Sequence, residues 1–207
     1  MKRRVAKILD LPSSGHTAVL LILAISFALG VFAGCFLADC VSGEGDEELR
    51  NYFTGFLEYS GSLPNPNLIR VFWSTFRWHI ITLCLGISAI GLIGIPVLFV
   101  LRGFLLAFSA ASFYSVFGLE GLLFSFVILG ITGIISIPVL FVLGVRGFLA
   151  SGASAGRLLG TGGKRLLVDR STVLCFCVCF AVLTICALIE YSVLPSIIVS
   201  LSDSFVL

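Results

Sequence analysis

The sequence predicts an all-α integral membrane protein with about five transmembrane helices. Three observations carry this. Hydrophobic residues make up 58% of the 207-residue chain and charged ones only 12%. Mean hydropathy is +1.15, more apolar surface than a soluble core of this size can hide. The apolar runs are also continuous rather than alternating, which suits helices and not barrel strands.

Five spans follow in order: Thr17 to Ala38, Ile80 to Leu101, Gly103 to Gly118, Leu122 to Leu143 and Thr172 to Leu194. Most approach the ~20 residues a helix needs to cross a bilayer of about 30 Å. The first follows Lys2, Arg3, Arg4 and Lys7, and its uncharged run is longer than a signal-peptide core, so a retained anchor is expected. The third is the shortest and is kept as a span because of charge. With the N-terminus in the cytoplasm and five crossings, ten basic residues fall inside and three outside, against two and nine acids. That asymmetry orients membrane proteins, so N-in, C-out is expected.

Between the first two spans an outer loop, 39–78, carries two amphipathic stretches. Asp46 to Tyr59 places Leu49, Tyr52, Phe53, Phe56 and Leu57 at helical spacing with acids opposite. After SLPNPN, the residues Leu68, Ile69, Phe72, Trp73 and Phe76 form a second apolar stripe. Such helices lie on the outer leaflet or dock a partner. A basic loop, 144–171, is expected on the cytoplasmic side.

The heptapeptide IPVLFVL occurs twice, from Ile95 and from Ile137, and Arg-Gly-Phe-Leu follows each copy, at Arg102 and Arg146. Small residues then recur at four-residue steps: Gly103, Ala107, Ala111 and Gly147, Ser151, Ala155. Such ladders let helices approach closely, so two parallel helix ends packed alike are expected. Pro96 and Pro138 are expected to kink their spans. Paired interrupted helices also suggest a solute site at mid-membrane, although by these boundaries no ionisable residue lies inside the two spans. Gly30 and Gly34, one and two turns after Ser26, give the first span a face for another transmembrane helix.

Little else suggests chemistry. The cysteines of LCFCVCF, Cys175, Cys177 and Cys179, stand in an apolar helix where thiolates are unfavourable, and read as small hydrophobes. His16 and His79 look interfacial and lack partners. No metal-protease, nucleophile-elbow or phosphate-loop motif is present. No enzyme activity, metal, cofactor or nucleic-acid partner is expected. Glu190 reads as a structural anchor near the outer end of the last span, paired with Arg70 or Arg77 if it lies deeper.

The segments FWSTFRWHIITLCLGIS, GLEGLLFSFV, SIPVLFVL and IEYSVLP together resemble the stage II sporulation protein M family over nearly the whole chain. The Leu85 to Ser88 element containing Gly86, and Glu190 five residues before Pro195, are the more specific points. The sequence departs at Thr75, where the family commonly has Asn, and at Ile131-Thr132-Gly133, which replaces a Pro-polar-polar element. The resemblance implies a multi-pass bacterial membrane protein of the engulfment machinery. It would recruit the cell-wall hydrolases called stage II sporulation proteins D and P, alone or as a homo- or hetero-oligomer.

Overall fold

The computed structural model describes residues 13–41, 68–126, 130–158 and 170–205. They form five helices: α1 Ser13–Val41, α2 Leu68–Ile87, α3 Gly91–Ser125, α4 Ile131–Leu158 and α5 Arg170–Phe205. Four of them, α1, α3, α4 and α5, contain stretches long and apolar enough to cross a membrane, whereas the apolar part of α2, Val71–Ile87, is shorter. Large apolar side chains such as Phe32 and Phe36 of α1 stand exposed, the outward hydrophobicity that a lipid solvent permits and water would not.

The helix boundaries differ from those expected in the middle of the chain. No break occurs at Arg102-Gly103. The expected second and third spans are instead the C-terminal part of α2 and the part of α3 that precedes Gly118. The chain turns at Ser88 to Ile90, where the Ser88 hydroxyl accepts the Ile90 N–H at 3.3 Å and the Ser88 carbonyl accepts the Gly91 N–H at 3.1 Å. Residues 68–78, expected in the outer loop, form the first half of α2. Residues 144–158, expected in the basic loop, complete α4.

Neither repeated proline breaks its helix: Pro96 lies within α3 and Pro138 within α4. Pro96 is in the second turn of α3, close to the end where backbone N–H groups have no helical acceptor. The interruption in α3 is instead at Gly118, with φ 64° and ψ −144°, a conformation that only glycine adopts without strain.

Packing follows the small residues. A Cβ on Gly30 would overlap the Val100 carbonyl of α3, one on Gly34 would stand 2.9 Å from Phe108 N, and one on Gly103 would overlap the Phe27 carbonyl of α1. The residues in contact advance together along both helices, so α1 and α3 are parallel. The same geometry joins α2 to α4: a Cβ on Gly86 would lie 2.7 Å from Gly147 Cα, and one on Gly147 3.5 Å from the Thr82 carbonyl. The face of α1 expected to receive another transmembrane helix is packed against α3 of the same chain.

The two IPVLFVL copies are antiparallel, which corrects the expected parallel arrangement. Ile95 meets Gly147 and Phe99 meets Gly144. Phe99 and Phe141, the fifth residue of each copy, pack edge to face with centroids 4.8 Å apart. Around this contact Val19, Leu23, Leu98 and Leu140 complete a buried core. The first glycine ladder packs α3 on α1, and the second packs α4 on α2 in the same way.

Candidate functional site

Most of the buried polar side chains among the described residues lie along one seam. Thr75, His79 and Thr82 of α2 face Ser136 and Ser151 of α4, each 6% exposed or less. The spacing explains α2: residues 75, 79, 82 and 86 lie on one helical face, which becomes polar and then ends in the glycine that lets α4 approach.

Thr82 is satisfied within its own helix, its hydroxyl donating to the Trp78 carbonyl at 2.8 Å, while Ser154 Oγ lies 3.2 Å from the Ala150 carbonyl of α4 and 3.3 Å from the Ile87 carbonyl of α2. Others join helices. Ser151 Oγ lies 2.7 Å from the Ser88 carbonyl and 3.2 Å from that of Ala89, so α4 holds the turn between α2 and α3. His79 is 1% exposed. Its Nδ1 lies 2.9 Å from the Thr75 carbonyl and its Nε2 3.2 Å from the Ser136 carbonyl.

At the upper end of the seam Thr75 Oγ1 is 3.0 Å from Glu190 Oε2 and 3.1 Å from the Val71 carbonyl. With one hydroxyl proton, Thr75 donates to one acceptor at a time or shares between them. Glu190 lies within electrostatic reach of Arg102 on α3. The guanidinium groups of Arg77 and Arg102 stand 5.4 and 5.5 Å from the Trp78 ring, close enough for cation–π attraction. Ionisable side chains inside membrane helices are costly and need such company.

The sequence-predicted residues fall into three groups. Gly30, Gly34, Gly86, Gly103 and Gly147 form the tight helix crossings, and Glu190 reaches the polar seam through Thr75. Pro96, Pro138 and Pro195 lie within α3, α4 and α5, apart from those crossings. Leu49, Phe53 and Phe56 lie outside the described residues. His79 and Arg102 exceed the sequence reading: the histidine is buried and doubly contacted where an interfacial one was expected, and the arginine stands in a candidate span, Gly91–Ser115, where a loop was expected. Arg146 likewise falls within the candidate span Gly133–Gly156. The period-four placement of Thr75 and His79 beside Thr82 was the available signal.

Cys175 and Cys179 pack against Leu143 in a second core. Leu68, Ile69, Phe72, Trp73, Phe76 and Ile80 line an apolar groove of about 400 Å³ along α2.

No curated protein and no solved structure matches the chain. The model of a family described as stage II sporulation protein M does match, over residues 23–193, an interval that takes in the glycine crossings, the polar seam and Glu190. This multi-pass membrane chain, helical throughout its described residues apart from the turn at Ser88 to Ile90, belongs to the stage II sporulation protein M family.

Proposed function

We propose that the protein is a non-catalytic scaffold of the bacterial cell membrane that holds peptidoglycan hydrolases during engulfment, with stage II sporulation proteins D and P as partners. The observation that carries the reading is the groove at the head of α2, whose Ile69 and Trp73 are 81% and 65% exposed. It begins directly after the acidic outer segment and combines aromatic anchors with an apolar wall, the composition of a protein-docking patch. Family membership supplies the sporulation context. The topology is N-in, C-out: Lys2, Arg3, Arg4 and Lys7 share a side with Lys164 and Arg165, and the acids of the 42–67 segment lie opposite.

A second reading, a small-solute channel or transporter, draws support from the antiparallel copies and from Arg102 and Glu190 within candidate spans, since inverted helices with intramembrane charges are a transporter theme. Crosslinking and capture from sporulating cells separates the two. The scaffold predicts recovery of hydrolase D or P, lost when Leu68, Ile69 and Trp73 are changed together to Ser while the protein still reaches the membrane. Failure to capture either hydrolase, combined with solute flux through the purified protein in liposomes, would establish the channel instead.

A further inference from the structure

The seam between α2 and α4 contains an imidazole whose surroundings ask for more protons than a neutral ring carries. Both partners of His79 are backbone carbonyls, Thr75 on its own helix and Ser136 on α4, and carbonyl oxygens only accept. A neutral imidazole has one N–H and one lone pair. In either neutral tautomer, therefore, one nitrogen lone pair faces a carbonyl oxygen. Only the imidazolium satisfies both.

We infer that His79 is a proton-binding site that joins α2 to α4: the imidazolium donates to both carbonyls, and loss of one proton releases the link to Ser136. The contact retained is the shorter one, 2.9 Å within α2, against 3.2 Å between the helices. The proton that leaves Nε2 goes to water and returns from water, and no other covalent bond changes.

The charged groups around the ring come from three sides. Arg102 of α3 lies within electrostatic reach of the ring. Glu190 of α5 takes the hydroxyl of Thr75, the residue whose carbonyl meets Nδ1. Arg77 is two residues away on α2 itself, over the Trp78 ring. From α4 the Ser136 carbonyl faces the ring, while Arg146 lies within reach of Cys179 on α5. Release at Ser136 thus changes how α4 holds the half of α2 that carries the apolar groove, whichever partner that groove serves.

The chain has two histidines, so His16→Asn leaves one ring to observe. Nitrogen NMR of this variant, ¹⁵N-histidine labelled in liposomes, should show two protonated ring nitrogens at the acidic end of a titration between about pH 4 and 9, and one protonated with one bare nitrogen at the other end. Spin labels at the exposed Ile69 and Ile134, in a background with the native cysteines replaced, should report a shift in the α2 to α4 distance over the same pH interval. In His79→Gln that shift should vanish. A ring that keeps one protonation state throughout, a distance that ignores its titration, or a shift that persists in His79→Gln would each overturn the inference.

Discussion

Gly86→Ala should separate α2 from α4, whereas Gly147→Ala, at the same crossing, should be nearly neutral. A Cβ on Gly86 would stand 2.7 Å from Gly147 Cα, while carbon atoms settle at about 3.5 to 4.0 Å. The two backbones must therefore part by roughly 0.8 to 1.3 Å, because a Cα atom cannot rotate away. On Gly147 the new methyl would meet Ile95 Cδ1 at 3.2 Å and Gly86 Cα at 3.4 Å. Here the nearest atom is the tip of a flexible side chain, which can yield by the few tenths of an ångström required. Overpacking costs about 1 to 3 kcal/mol, and alanine recovers about 0.5 to 1 kcal/mol of helix propensity. The net expectation is about 1 to 2 kcal/mol lost for Gly86→Ala and about zero for Gly147→Ala, a difference of roughly five- to thirtyfold in the folding equilibrium. Separation would also strain the 2.7 Å link from Ser151 to Ser88, close to the crossing. Reversible unfolding of the purified protein in bicelles measures both variants. Equal losses, or a neutral Gly86→Ala, would refute the backbone-contact argument.

Two further perturbations test the polar seam and the bend. Thr75→Val removes the hydroxyl that reaches Glu190, and hydrogen bonds between membrane helices contribute about 0.6 kcal/mol on average and up to ~1.7. A double-mutant cycle with Glu190→Ala in the same unfolding assay should show coupling of that size, and strict additivity would deny the contact. Gly118→Ala places a side chain at φ 64° and should cost about 1 to 3 kcal/mol, although the space around it is open. A neutral Gly118→Ala would show that the bend does not need that backbone conformation.

The helical, membrane-embedded class was legible because apolar run length reports directly on the solvent. The turn between α2 and α3 was not. Arg102-Gly103 looked like punctuation, since a charge and a glycine inside an apolar run ordinarily mark an interface. Both are consumed by packing instead: the Arg102 guanidinium stands over Trp78 and Gly103 admits the backbone of α1. The true turn, Ser88-Ala89-Ile90, is largely apolar and is held by Ser151, 63 residues away from Ser88. A local reading has no access to that donor. The burial of His79 was hidden for a related reason: its two acceptors are backbone carbonyls, one on another helix, and carbonyls leave no signature in side-chain sequence.

The misplaced turn also reversed the meaning of the repeat. With turns at both 102 and 119–121, two reversals separate the copies and make them parallel. In the structure the chain runs unbroken through Arg102 and folds back at Gly118, which brings Gly121 against the Phe113 carbonyl, so one reversal separates the copies and they oppose each other. The direction of a repeat in a helical bundle therefore depends on the parity of the turns between its copies, which one wrongly assigned boundary inverts. Antiparallel copies bring like residues together, as Phe99 meets Phe141. They also give each copy its own parallel partner, α1 for the first and α2 for the second. The same phrase recurs because each copy solves the same problem twice over: a Phe and Leu face for the other copy, and a glycine face for its parallel helix. The difference between the halves then lies in their partners. α1 offers an apolar surface to α3, while α2 brings Thr75, His79 and Thr82 against α4.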